Sequence, residues 1–261
     1  MKIIHNKEIK TVTWLDERFY FDEKTQAYYP SSTTILDVYP KGFGFTKWLK
    51  DLGSNADQVL KEAGEQGTLI HDAIKDFWEG NEIIWANEKG EAKYTFEQWK
   101  MLMRFWDFYK TCKPEPIAIE MSLVDGELGF GGTLDFIGKI DNSIWLIDWK
   151  SSNGVYRSYE LQIASYRELW DKLQPKYKID RVGILHLKAT TRGVGKNGVI
   201  QGESWKLHEP EESQEELFDL FDMTKQIWLK ENPIAKPKNM VYPDRISKKE
   251  VKNTEEDHIK L

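Results

Sequence analysis

The spacing of apolar positions changes along the chain, and it changes in a way that divides it into elements. Residues 11–30 read as a β-hairpin, with WLDERFYFD and AYYP flanking a polar turn at Glu23–Gln26. Ser31-Ser32-Thr33-Thr34 then places hydroxyls before Ile35 and Leu36, where a helix needs a cap. A helix is predicted from about Phe45 to Leu52, stopped by Gly53. Ser54 would cap the next one, which pauses around Gly64 and Gly67. Gly67-Thr68-Leu69-Ile70-His71 opens a further helix reaching about Trp78, with Ile70, Ile74, Phe77 and Trp78 at i, i+4, i+7 and i+8. From Thr95 a longer helix groups Phe96, Trp99, Met103, Trp106 and Tyr109 on one side, and Pro114 and Pro116 end it.

Beyond Pro116 the period falls from 3.6 to two. Ile117, Ile119, Met121 and Leu123 alternate with Ala118, Glu120 and Ser122, the signature of a half-buried strand. Strands follow at 130–140 and 143–150, joined by a tight Asp141-Asn142 turn. A helix runs from about Ser158 to Leu173, and Val182–Lys188 is another strand. Thr190–Ile200 is glycine-rich and basic, a loop or hairpin. Ser213 and Glu216 form a capping box before the helix LFDLFDMTKQIWL. This order predicts an α/β (α+β) fold, a central mixed sheet flanked by helices. Residues 1–231 are expected to form a single domain, with a helical portion at about 31–112 and a core at about 115–231. Residues 232–261 read as a polar tail.

Composition narrows the function classes. The chain has 261 residues, 40% hydrophobic and 31% charged, ordinary for a globular protein. No segment resembles a transmembrane helix, and the first ten residues lack the apolar core of a secretory signal, so a cytoplasmic protein is expected. Cys112 stands alone, which excludes an internal disulfide and a cysteine-held zinc or iron–sulfur centre within one chain. The net charge of −6 counts against a non-specific polyanion binder, yet carboxylates gathered for a metal would themselves add negative charge.

The chemistry concentrates in Gly131-Gly132-Thr133-Leu134-Asp135, Ile147-Asp148-Trp149-Lys150 and Gln162-Ile163-Ala164-Ser165-Tyr166. On a strand, Asp148 and Lys150 share one side and Trp149 takes the other. Asp135 lies on the neighbouring strand and can face Asp148 across the hairpin. Crowding two carboxylates calls for a counter-charge, and hard oxygen ligands suit Mg²⁺ or Mn²⁺. Lys150 could orient an attacking water and stabilise phosphate charge. Gln162 and Tyr166, one helical turn apart, could touch a nucleic-acid backbone or buttress the site. Glu120 lies on the less apolar side of its strand, turned toward the metals or toward water. Tyr28, Phe43, Phe45 and Trp48 read as core rings, with stacking on unpaired bases as the alternative. Lys188, Arg192 and Lys196 are either a solvated loop or a phosphate-contacting rim.

In order and spacing these elements resemble the PD-(D/E)xK nuclease superfamily, in particular its RecB-like branch. That branch combines an upstream helical histidine, a glycine-preceded Asp, an Asp-x-Lys strand and a Gln-x-x-x-Tyr helix. Here they correspond to His71, Asp135, Asp148 with Lys150, and Gln162 with Tyr166. Pro30–Leu36 is similar to the Pro-Ser-x-Thr-Thr-x-Leu opening of stand-alone members. The resemblance covers about residues 28–170 and implies a restriction-endonuclease-like core with an N-terminal helical wall. It implies metal ligation by His71, Asp135, Asp148 and the main-chain carbonyl of Trp149, with Lys150 as catalytic lysine. Thr68, Glu120, Gln162 and Tyr166 would bind nucleic acid or support the site. The activity implied is a Mg²⁺- or Mn²⁺-dependent deoxyribonuclease, with exonuclease action on single-stranded ends favoured. A structure- or site-specific endonuclease, a metal-dependent RNase and an inactive nucleic-acid-binding relative are the alternatives. The cysteines of the iron–sulfur subgroup are absent, as is a Gly-Lys-Thr helicase motif, so unwinding would need a helicase or recombination partner.

Overall fold

A computed structural model describes residues 9–14, 17–188, 193–194, 200–201 and 205–237. Strands β1 (Ile9–Trp14), β2 (Glu17–Asp22) and β3 (Ala27–Pro30) form an antiparallel sheet in that order. The expected hairpin is β2–β3, and β1 adds a strand on its free edge. Helix α1 (Ser32–Leu36) starts as the hydroxyl run predicts, with Ser31 Oγ accepting the Thr34 N–H at 3.0 Å.

Helices α2 (Gly42–Leu52), α3 (Ala56–Trp78) and α4 (Phe96–Cys112) follow. Here three sequence expectations fail. First, α3 is one unbroken helix of 23 residues, preceded by Asn55 rather than capped by Ser54. Each interior glycine costs about 1 kcal/mol against alanine, and burial of Ile70, Ala73 and Ile74 outweighs that. Gly67 also sits where the helix passes Ser151, whose Oγ would lie 3.5 Å from an added Cβ. Second, the aromatic side of α4 is not its core side. Met101, Leu102, Phe105 and Phe108 are buried, while Phe96, Met103 and Trp106 stay exposed. Both sets recur at helical spacing, and only the first faces the sheet. Third, α2 buries no residue, and Phe43 is 83% exposed.

The central sheet contains β4 (Glu115–Asp125), β5 (Phe130–Ile140), β6 (Ser143–Lys150) and β7 (Arg181–His186). Helix α5 (Arg157–Leu173) makes the crossover from β6 to its parallel partner β7. A short pair, β8 (Gly193–Val194) with β9 (Ile200–Gln201), falls within the basic loop, whose Arg192 and Lys196 lie outside the described residues. Strand β10 (Lys206–His208), not foreseen, pairs with β7, giving the order β10-β7-β6-β5-β4. Helix α6 (Gln214–Glu231) carries the predicted Ser213/Glu216 capping box. Of the polar tail, Ala235 packs on the core and residues 238–261 lie outside the described ones. No described helix is long and apolar enough to cross a membrane.

The sheet separates two apolar layers. Leu161, Ile163, Leu169 and Trp170 of α5 pack with Leu217 and Phe221 of α6 on one face. Ile70 and Ile74 of α3 pack with Leu102, Phe105 and Phe108 of α4 on the other, around Trp149. The mixed sheet flanked by helices is therefore the fold the element order predicts.

The strict alternation expected of β4 breaks at a register shift between Pro116 and Ala118 and again at Glu120. Ile119 and its partner Phe136 belong to the α3/α4 layer, whereas Met121 and its partner Leu134, two residues away on each strand, belong to the α5/α6 layer. Regular pleating would put both pairs on one face. The step occurs at Glu120, whose φ of 45° is left-handed and strained for a non-glycine residue. Asp135 is the residue between Leu134 and Phe136 on the facing strand.

Candidate active site

Glu120, Asp135 and Asp148 fall in one row across three adjacent strands. Ile119 and Met121 pair with Phe136 and Leu134, which brackets Glu120 against Asp135. On the other side Phe136 pairs with Ile147, and one further step in that register sets Asp135 beside Asp148. The hairpin thus has the alignment the tight Asp141-Asn142 turn suggests, and Asp141 has a φ of 53°.

Helix α3 brings His71 to this row from the opposite layer. Its Nδ1 lies 3.4 Å from Asp135 Oδ1 and 3.7 Å from Glu120 Oε1, while Nε2 lies 3.1 Å from the carbonyl oxygen of Trp149. Every neighbour is an acceptor, so the ring is best satisfied as an imidazolium donating on both sides. Burial alone would lower its pKa, but the charges of Asp135 and Glu120 outweigh that and hold it well above the usual histidine value. Asp135 is also buried, which alone would raise its pKa. The His71 cation and the Trp149 N–H, donated to Asp135 Oδ2 at 2.8 Å, hold it below the usual range. For Glu120 burial dominates and pushes the carboxyl up.

Asp148 and Lys150 point together toward α5, as alternation on β6 requires. Lys150 Nζ lies 2.6 Å from Asp148 Oδ2. That buried oxygen has a charge partner but no hydrogen bond of acceptable angle. Burial raises the Asp148 pKa to about 6, against the opposing pull of Lys150. Burial lowers that of Lys150, yet Asp148 and Asp135 more than reverse it. Lys150 also donates to Gln162 Oε1 at 3.0 Å, and Gln162 Nε2 donates to Tyr166 Oη at 2.7 Å.

Gln162 and Tyr166 are buried, so α5 presents them to Lys150 rather than to solvent. Tyr166 fits because β5 has glycine at 132, where a Cβ would come within 2.4 Å of the ring. Gly132→Ala is expected to destabilise the protein by about 1–3 kcal/mol, the usual range for overpacking. A urea or thermal midpoint equal to that of the parent protein would contradict this close approach.

Thr68 is exposed and donates to the Gly64 carbonyl of its own helix at 3.2 Å, so no described contact joins it to the cluster. Tyr159 does belong to the site and was missed, its ring lying 4.7 Å beneath Lys150 Nζ. It precedes Gln162 by three positions, the one signal in the sequence that would have found it.

The donor set suits a hard divalent cation. Ligand atoms of His71, Glu120 and Asp135 lie within 4.8 Å of one another, and Glu120 Oε1 is buried without a hydrogen bond. Carboxylate-rich sites suit hard divalent cations more than soft ones. In this geometry Glu120 joins His71 Nδ1 and Asp135, whereas the Trp149 carbonyl faces the other ring nitrogen of His71 and Asp148 turns toward Lys150.

A search of curated proteins finds no match. Among solved structures, an exonuclease candidate from Eubacterium rectale aligns at 12% identity with a TM-score of 0.39, covering 72% of this chain and 80% of that one. The model of the PD-(D/E)XK nuclease superfamily matches residues 46–236, a span holding the carboxylate row, His71, Lys150 and both helical layers. The chain belongs to the PD-(D/E)XK nuclease superfamily.

Proposed function

We propose that this nuclease is a Mg²⁺- or Mn²⁺-dependent deoxyribonuclease that digests single-stranded DNA from its ends. The observation that supports it most is the carboxylate row Glu120–Asp135–Asp148, met by His71 from one layer and by Lys150 on the same strand as Asp148. His71, Glu120 and Asp135 would hold the cation, with the Trp149 carbonyl and Asp148 as further oxygens beside it. Such a cation polarises a phosphoryl oxygen and lowers the pKa of bound water.

The chain's own groups divide the remaining work. Lys150 positions the attacking water and balances charge developing on phosphorus. Asp148 keeps that ammonium in place, and Gln162 fixes it from the other side at 3.0 Å. Tyr166 orients Gln162 in turn, so both act through Lys150 rather than on DNA. The helical histidine and the Gln-x-x-x-Tyr helix favour the RecB-like branch, and with it end-directed cutting of unpaired strands.

Metal entry must displace the His71 proton, because two donors become one donor and one ligand. Apparent Mn²⁺ affinity is therefore expected to rise with pH through the range above 6.5, by up to about tenfold per unit. Titration calorimetry in buffers of different ionisation enthalpy would detect the released proton. A pH-independent affinity would rule out His71 as a ligand.

The substrate assignment is tested by a time course on end-labelled linear single-stranded DNA and its circular counterpart, with Mg²⁺, Mn²⁺ or EDTA. Metal-dependent loss of the linear strand alone is the expected result. Loss of the circle would establish endonuclease action instead, and cleavage of RNA alone would change the substrate class.

A further inference from the structure

Tyr166, Gln162, Tyr159 and the N-cap Tyr156 recur three or four residues apart along one stripe of α5, and Gln162 and Tyr159 touch Lys150. Exposure rises in that order. Tyr166 and Gln162 are buried, Tyr159 is half-buried, and Tyr156 is 52% exposed. The Tyr156 ring meets that of Tyr159 edge to face, with centroids 5.4 Å apart. Tyr159 in turn lies under Lys150. An exposed aromatic ring is therefore joined to the reactive lysine through a single intervening ring.

Tyr156 is poorly suited to its place as far as folding is concerned. It is the N-cap of α5 and makes no side-chain capping bond, where serine, threonine, aspartate or asparagine would satisfy a first-turn N–H. The backbone around it is nevertheless held firmly. Ser152 Oγ donates to the Gly154 carbonyl at 2.7 Å, and His186 Nε2 lies 2.8 Å from the Ser152 carbonyl. The next residue, Arg157, pairs with Glu160 and with Glu212, and Glu160 is also bound by His208 at 2.7 Å. A rigid mount carrying a solvent-facing ring is the arrangement a stacking platform requires, because the ring pays little ordering entropy when a ligand lands on it.

We propose that Tyr156, backed by Tyr159, is a stacking platform for the nucleobase adjacent to the scissile phosphate, and so selects unpaired over duplex DNA. A base held in a duplex must first be unpaired and unstacked before it can settle there, whereas an unpaired base is free to do so. The inference rests on the single-stranded DNA reading of the same site.

The test compares kcat and KM of the parent protein, Tyr156→Ala, Tyr156→Phe and Tyr156→Trp in Mn²⁺. The probes are a linear single-stranded oligonucleotide and the same oligonucleotide abasic at the nucleotides flanking the cut. Tyr156→Ala is expected to lower kcat/KM roughly five- to hundredfold, chiefly through KM, as loss of one base–aromatic stack predicts. The phenylalanine and tryptophan variants should retain the parent value. The abasic substrate should cost the parent protein the same factor and cost Tyr156→Ala almost nothing more, since both changes remove one contact. Parent-like KM in Tyr156→Ala would overturn the proposal, as would penalties that simply multiply. A loss shared by the phenylalanine variant would assign Tyr156 a structural or hydroxyl role instead. If the parent protein leaves single strands intact, the functional reading itself fails, an outcome separate from the variant comparison.

Discussion

Lys150→Met and Asp148→Asn are each expected to lower cleavage about a hundred- to a thousandfold, the scale on which one preorganised charge-stabilising group acts. The folded state should survive both changes, for different reasons. Removing Lys150 leaves a buried carboxyl whose pKa is already near 6 with the cation beside it. Without the cation it rises further and takes up a proton at neutral pH, so no bare charge stays buried. Removing the Asp148 charge leaves Lys150 with Asp135 as a second anion and with Gln162 as an acceptor. The measurement is single-turnover cleavage beside a thermal midpoint and a circular dichroism spectrum. Parent-like cleavage by either folded variant would remove this pair from the reaction.

Asp135→Asn is expected to have the second largest effect, of a different kind. An asparagine oxygen can still accept the Trp149 N–H, so the β5–β6 contact persists. The charge that Asp135 offers His71 and a cation is lost. Saturating Mn²⁺ should raise the parent protein's melting temperature, by the linkage between binding and folding. In Asp135→Asn that rise should vanish along with cleavage, whereas Lys150→Met should retain it. A metal-induced rise of parent size in Asp135→Asn would place the cation elsewhere.

Much of the fold was legible because periodicity and capping agreed. The tight turn at Asp141-Asn142, the limits of β5 and β6, the helix start at Thr95 and the capping box at Ser213 all rest on local chemistry, and all appear as read. What the sequence concealed depends on tertiary choice. Two apolar stripes on α4 are equally periodic, and only the packing of Phe105 and Phe108 against Trp149 selects between them. The glycines of α3 look like a break in isolation, and Ile70 with Ile74 carries the helix through. The site was partly legible in the same sense. Alternation on β6 gave Asp148 and Lys150 a common side, but nothing local foretold that Glu120 would meet His71, since that depends on a left-handed residue inside a strand.

That left-handed step has a broader consequence. In a sheet with unbroken pleating, each face belongs to one layer, and a cluster of charges on either face would interrupt its oily packing. Where β4 and β5 exchange faces, there is a seam that belongs to neither. Both hydrophobic halves remain continuous right up to it, and side chains from both, His71 above and Lys150 below, reach the same line. The protein can therefore concentrate charge in its interior while keeping each half of its core dry, and the reactive groups are held by two independently packed supports rather than one.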